Sequence, residues 1–315
     1  MSIMKPASRD QEFKKTIRKH YRTQGRHDLS WRKTRDPYAI LVSEVMLQQT
    51  QVSRVEGYYA RFLARFPDFP SLAHAATGDV LAAWQGLGYN RRALSLKRLA
   101  EIVMREHGGV LPSDREALAR LPGIGKGTSG SLMAFAFDRP EIFIETNIRR
   151  VFIHHFFPRT RRGVTDAEIG RYIQRTMDHA HPREWYWALM DYGASLGKGA
   201  ATGTKERTIA RTRSVSDRNG NLGPFANPNR RSAHYRIQRA FKGSDREMRG
   251  RVLRYLLAVR DAGEEGSSGI AETRLAAVVG ASGREGAVRM RRVLSQLLQE
   301  GFIIERQGFI SINNE

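Results

Sequence analysis

One turn and two glutamates carry the residue types and spacings that suggest chemistry. Leu121-Pro122-Gly123-Ile124-Gly125 reads as a tight turn between two helices, with proline ending the first and glycine freeing the backbone for close approach to a partner. Backbone N–H groups then point outward at the start of a helix expected over 126–137, which makes a seat for a phosphate. Lys126, Gly127 and Thr128 open that helix, and 24 residues after Leu121 a lone carboxylate, Glu145, precedes Asn147-Ile148-Arg149-Arg150 at the mouth of another. The second glutamate, Glu44, lies among apolar residues and is followed by an amide-rich run, Gln48-Gln49-Thr50-Gln51. Amides hydrogen-bond base edges without the desolvation cost of a charge, so this run suits entry into a DNA duplex. The plainer readings are a glycine-rich connection beside a surface glutamate, and an exposed polar helix face. Nucleotide-binding readings fail, because Gly123-x-Gly125-x-Gly127 follows no strand and no GxxxxGK[ST] spacing occurs.

The elements that must position these residues are mostly helical. Residues 10–28 read as a basic helix, and Trp31 with Asp36-Pro37-Tyr38 marks a loop into the next element. From Ala39 to Ala64 apolar residues recur at helical spacing (Ile40, Val45, Leu47, Val52, Val55, Tyr59, Phe62). Beyond residue 244 the pattern changes. Helices are expected over 245–262, 271–279 and 286–300, and Phe302-Ile303-Ile304-Glu305-Arg306 with Phe309-Ile310-Ser311-Ile312 alternates around Gln307-Gly308 as a β-hairpin. Three helices closed by a hairpin is a winged-helix arrangement, whose third helix offers Arg289, Arg291 and Arg292 to a groove. The predicted architecture is therefore a core over 1–197, a basic segment over 198–243 and a small α+β domain over 244–315.

Charge points to a polyanion. Lys+Arg of 53 against Asp+Glu of 32 gives a net +21 in 315 residues, and residues 198–251 alone hold 14 Lys/Arg against 4 Asp/Glu. Nucleic acid is the commonest such partner, and phosphate contact is the favoured role for this segment over a solvated linker. No apolar run reaches the roughly 18 residues of a spanning helix, and the N-terminus lacks the apolar centre of a signal peptide. The expectation is a cytoplasmic, nucleoid-associated monomer with no membrane association. Zero cysteines exclude disulfides, thiolate catalysis, zinc–thiolate sites and iron–sulfur clusters. His154, His155, His179 and His181 lack the spacing of a metal site, so no zinc is expected.

The turn followed by Glu145 resembles the helix-hairpin-helix (HhH-GPD) DNA glycosylases. Asp36-Pro37-Tyr38 through Glu44, the amide run and Val52 resembles the opening of the MutY adenine glycosylases among them. The likeness continues through Gly57–Phe62, Arg65-Phe66-Pro67, Trp84-Gln85-Gly86-Leu87-Gly88-Tyr89, Gly108–Pro112 and Trp187–Gly193, so it spans roughly residues 10–197. It implies a mostly α, two-lobed fold acting on double-stranded DNA that carries a mispaired or damaged base. Glu44 would protonate the departing base, and Glu145 with Asn147 would serve the sugar. Gln48, Gln49, Thr50, Gln51, Leu121, Gly123, Gly125, Lys126, Gly127 and Thr128 would meet DNA, with Tyr89 wedged into the duplex. The carbonyls of Ala119, Leu121 and Ile124 match a sodium or potassium site, and no other cofactor is implied.

That chemistry is self-consistent. The glycosidic bond breaks when the base leaves neutral and oxocarbenium charge on the sugar is balanced, which needs one protonated and one ionised carboxyl group. An apolar setting would keep Glu44 protonated, while Glu145 stays charged. The chain departs from the resemblance in several places. Glu145-Thr146-Asn147 stands where MutY-like enzymes have Asp-Gly-Asn, and one methylene moves a carboxylate by ~1.5 Å, a scale worth ~10²-fold in rate. Asn90 replaces a second tyrosine, the cysteine loop expected after Ala194 has no cysteine, and the C-terminal part does not resemble a Nudix-type domain. Gly127 occupies the place of the lysine that bifunctional relatives use for strand cleavage, so no efficient lyase step is expected. Removal of another base (uracil or thymine opposite guanine, or a modified base) and non-catalytic DNA binding are the alternatives.

Overall fold

The computed structural model describes residues 6–160, 162–199, 227–236, 240–262, 269–281 and 283–314. Helices dominate, and the chain forms two compact units that interleave along the sequence. One comprises residues 1–40, 113–119 and 124–237; the other comprises 41–112, 120–123 and 238–315. The basic segment's residues 200–226 and 237–239 lie outside the described residues.

In the first unit, the Pro6–Gln24 helix carries Phe13 into a cluster with Phe152, Phe156 and Trp185, with ring centroids 5.2, 5.0 and 6.0 Å away. The basic helix thus starts and stops four residues before its expected limits, since Gly25 turns the chain back with its N–H on the Tyr21 carbonyl at 2.9 Å. The Pro182–Gly199 helix buries Asp191 beneath two arginines, Arg32 at 2.7 and 2.9 Å and Arg26 Nε at 2.6 Å. Burial alone would raise this carboxyl, but Arg32 and Arg26 outweigh it and hold it below the usual range.

In the second unit, the Val52–Arg65 helix buries Val55, Tyr59 and Phe62, and Phe62 meets Trp84 edge-on at 5.7 Å. The C-terminal part follows the expected order. It runs through the Asp245–Asp261 helix, a short Ile270–Ala271 strand, the Glu272–Val278 and Gly283–Gln299 helices, then strands Ile303–Arg306 and Phe309–Ile312. The last strand is central and antiparallel to both others, with Ile303 opposite Ile312 and Arg306 opposite Phe309. Gln307 and Gly308 both have positive φ (53° and 80°), the conformation a two-residue type I′ turn demands. Sequence alternation located this hairpin; the two-residue strand Ile270–Ala271 was too short to show.

This winged-helix part is joined tightly to the helices of its own unit. Glu300 accepts from Arg249 Nη1 at 3.1 Å and from Arg91, and its carbonyl accepts from Arg98 at 3.0 Å. Arg91 and Arg249 hold the Glu300 carboxyl below its ordinary range despite partial burial. A Cβ placed on Gly78 would lie 2.1 Å from the Arg260 guanidinium and 2.4 Å from the Asn314 side chain, so a larger residue there would have to displace the ends of these two side chains. Arg289 and Arg292 both bond Asp245, at 2.8 and 3.0 Å, and Arg291 lies 3.5 Å from Glu272. The three candidate groove arginines are therefore each engaged by a carboxylate of their own domain.

Candidate active site

The Pro37–Leu47 helix begins at a strong cap. Asp36 accepts from the N–H groups of Tyr38 and Ala39, both at 3.1 Å, and Pro37 takes the first helical position, where its missing N–H costs nothing. The helix delivers Glu44 half-buried, between fully buried Ser43 and Val45. It stops at Leu47, and a new helix starts at Val52, so the helical spacing read across 39–64 contains a break. The break falls on the amide run. Gln49 has φ of 56°, a left-handed conformation that a non-glycine residue adopts at a cost of about 1 kcal/mol or more. Gln49 and Gln51 are exposed, and Gln48 and Thr50 half-buried, so the run forms a projecting turn and not a helix face.

A buried arginine holds this turn. Arg92 Nη1 donates to the carbonyls of Val45, Met46 and Gln48 at 2.8, 2.7 and 2.7 Å, and Nη2 donates to Thr50 Oγ1 at 3.0 Å and the Gly88 carbonyl at 2.9 Å. Its guanidinium also lies over the rings of Trp84 and Tyr89, 5.3 and 5.5 Å from their centroids. Burial pulls the Arg92 guanidinium down to about 10, still charged at neutral pH. Tyr89 has φ of 51°, is 37% exposed, and receives Arg246 Nη1 on its hydroxyl at 3.1 Å. One cation thus ties the amide turn to the Tyr89 turn. Nothing in the sequence separated Arg92 from neighbouring Arg91; only the fold shows which one turns inward. Arg92→Met should leave these acceptors unmet and cost about 3–5 kcal/mol, read as a large fall in melting temperature, with Arg92→Lys restoring part of it.

The hairpin turn joins the Arg115–Arg120 helix to the Lys126–Phe135 helix, close to the expected extent. Gly123 has φ of 79°, and Gly123, Gly125, Lys126 and Gly127 are exposed while the Leu121 and Ile124 side chains are buried. Among the described residues nothing lies within 4 Å of a Cβ built on Gly125 or Gly127. Internal packing therefore does not require glycine at either place, whereas close approach of an external backbone does. Thr128, half-buried, completes the first turn of this helix. The donors matching the monovalent-ion site are neutral carbonyl oxygens at the end of a helix and in the turn, where carbonyls lack helical partners. Such a set suits sodium or potassium.

Glu145 is the N-cap of the Thr146–Phe156 helix. Its Oε1 accepts from the N–H groups of Asn147 and Ile148 at 2.6 and 2.9 Å, and Asn147 Nδ2 stands 3.5 Å from Oε2. Arg150 Nη1 donates to Asn147 Oδ1 at 2.8 Å and to the Gly193 carbonyl at 2.6 Å. Although part of Glu145's surface is open, dense protein surrounds its carboxylate, and burial pushes this carboxyl up. The two amides, Arg150 and Arg149 work against that rise without cancelling it. The sequence led to a fully ionised group; the structure adds an opposing desolvation that residue types alone did not reveal. Gly193 is equally constrained, since an added Cβ would lie 2.4 Å from the Asn147 carbonyl oxygen. His155 Nε2 lies 3.1 Å from the Tyr192 hydroxyl, and Asp178, beside His179 and His181, is engaged by Arg18 at 2.7 Å.

Comparison with known proteins identifies the family. The HhH-GPD superfamily of base excision DNA repair proteins matches residues 42–175. An adenine DNA glycosylase from Mycobacterium tuberculosis is 34% identical over 234 residues, covering 73% of this chain and 74% of that protein. The chain belongs to the HhH-GPD superfamily. Within that family it is MutY-like. A thymine/uracil-DNA glycosylase from Pyrobaculum aerophilum is also 34% identical, over 59% of this chain and 83% of that protein. An adenine DNA glycosylase from Buchnera aphidicola is 34% identical over 58% of this chain, which spans about half (52%) of that relative. Among solved structures, a thermostable thymine-DNA glycosylase superposes with a TM-score of 0.52 at 27% identity, over 60% of this chain and 87% of that one. A trapped endonuclease III–DNA covalent intermediate gives 0.51 at 16% identity, over 66% and 93%, which speaks for the fold alone. No described helix is long and apolar enough to cross a membrane.

Proposed function

We propose that this HhH-GPD protein is a DNA N-glycosylase of base excision repair that removes adenine mispaired with 8-oxoguanine or guanine. Glu44 gives its proton to N7 of the extruded adenine, so the base departs neutral as the C1′–N9 bond breaks. Glu145, ionised, stabilises the positive charge left on the sugar, directly or through a transient covalent link, with Asn147 holding its surroundings in place. Water adds its oxygen to C1′, and its released proton replaces the one Glu44 gave up, leaving an abasic site. The observation that carries this reading is Glu145 itself, a surrounded carboxylate fixed by two helix-end amides and backed by Arg150. Extruding the nucleotide costs a few kcal/mol of stacking and pairing, less at a mismatch, which favours mispaired substrates.

The hairpin seats a phosphate through its amides, Gln48, Gln49, Thr50 and Gln51 enter the duplex, and Tyr89 wedges beside the opposing base. Carbonyls of Ala119, Leu121 and Ile124 would hold a sodium or potassium ion, whose charge would strengthen that phosphate seat. Strand cleavage is not expected. Gly127 offers no amine, and Lys126, one residue earlier, projects about 100° away around the helix. The protein acts as a monomer.

A second reading, removal of thymine or uracil opposite guanine, draws on the Pyrobaculum relative and the thymine-DNA glycosylase superposition. One assay separates the two. Duplexes carrying A·8-oxoG, A·G, U·G and T·G are incubated with the protein and then treated with alkali. Breaks confined to the adenine strand are expected; breaks in a pyrimidine strand would establish the second reading, and tight binding without abasic sites would refute both. Breaks appearing before alkali would overturn the absence of lyase chemistry.

A further inference from the structure

A short segment distant in sequence lies directly behind the Glu145 loop. Asn227 caps a single 3₁₀ turn, Pro228–Arg231, which packs on the Thr146–Phe156 helix. Asn229 is 5% exposed, and its Nδ2 donates to the Thr146 carbonyl at 2.9 Å. Asn227 Oδ1 accepts from Arg150 Nε at 3.2 Å and from the Asn229 N–H at 3.1 Å. Arg150 in turn holds Asn147 Oδ1. The two residues that follow Glu145 are thus both gripped by this segment, Thr146 through its carbonyl and Asn147 through Arg150.

The segment is itself well anchored. Val164 and Ser232 form a parallel bridge, with the Val164 N–H on the Arg231 carbonyl at 2.7 Å and the Ala233 N–H on the Val164 carbonyl at 2.9 Å. Arg231 Nη1 donates to the Phe157 carbonyl at 2.9 Å, so this member of the basic stretch serves as an internal staple. Asn229 Oδ1 is buried with no protein partner among the described residues. A leucine would fill such a place without that desolvation cost, so what the amide contributes here is the bond its nitrogen makes to the Thr146 carbonyl.

We infer that Asn227 and Asn229 are positioning residues for Glu145. By fixing the Thr146 carbonyl and the Arg150 guanidinium, they aim the amides of Asn147 and Ile148 at the carboxylate and keep it in place for the sugar. This rests on the reading of Glu145 as the group that balances sugar charge. Neither asparagine needs to touch DNA.

The test uses the full chain and the duplex that the substrate assay identifies. Asn229→Ala should lower the single-turnover rate of base release about 10–100-fold, leave DNA affinity within about twofold, and move the acid limb of the pH–rate profile because the surroundings of Glu145 have changed. Asn229→Ala with a normal rate and pH profile at temperatures where it is folded would overturn the inference, as would parallel loss of rate and affinity. Should Asn229→Ala not fold, Asn227→Ala, at a less buried position, is judged by the same readouts. Glu145→Gln separates the two levels of the argument. If it abolishes base release while the asparagine variants are normal, only this inference fails; if it remains active, the underlying reading fails.

Discussion

Glu44→Gln will bind mispaired duplex as the natural protein does and release base about 10²–10⁴-fold more slowly. Glutamine preserves the size of the side chain and its capacity for hydrogen bonds but has no acidic proton to give. Its position on the Pro37–Leu47 helix, between buried Ser43 and Val45, makes a compensating shift of the backbone costly. The comparison requires single-turnover rates with enzyme in excess, so that product release does not mask the chemical step. A Glu44→Gln protein retaining near-normal rates would remove Glu44 from the role of acid.

Glu145→Gln should lose activity and gain stability together. On the proposed role, the loss follows from removing the negative charge that would balance the sugar, at about 10²–10³-fold. The gain follows from the raised carboxyl. Because the folded protein disfavours the charged form, Glu145 costs stability at every pH above the unfolded carboxylate range near 4.3, and the cost vanishes below it. The variant should therefore melt higher at neutral pH, by roughly 2–4 °C for about 1 kcal/mol, and the two melting curves should converge as pH falls through 4. For the same reason, with the ionised form proposed as the working one, activity should fall on the acid side at a pH above that of an ordinary glutamate. A glutamine variant that melts lower at neutral pH would show that the two amides and Arg150 outweigh burial. Glu145→Asp probes the geometry: both cap bonds already close on the longer side chain, so a loss near 10²-fold is expected, and an unchanged rate would mean the loop adapts.

The sequence revealed the parts that depend on local pattern and residue type. The glycine turn, the winged-helix order and the Gln307-Gly308 hairpin could be read because turn chemistry and periodicity are written in adjacent residues. Breaks and anchors could not. The Gln48–Gln51 turn interrupts an apolar spacing that continues in phase on both sides, and what enforces the interruption is Arg92, some forty residues away. Asp191 sits in a stretch whose family likeness was evident, yet its burial beneath Arg26 and Arg32 depends on a distant part of the chain. Nothing in the basic segment marked Asn227 and Asn229, because a polar residue's value depends on which carbonyl it meets.

The notch at Gly78 bears on how this molecule can be divided. The ends of the Arg260 and Asn314 side chains lie where a Cβ at position 78 would stand, and Glu300 reaches back to the helix that follows Tyr89. A chain cut before residue 244 would leave that recess open to water, with Arg91 and Arg98 stripped of their partners. The residues from 244 onward are thus a wall of the unit that carries Glu44, so removing them should destabilise that unit as well as themselves.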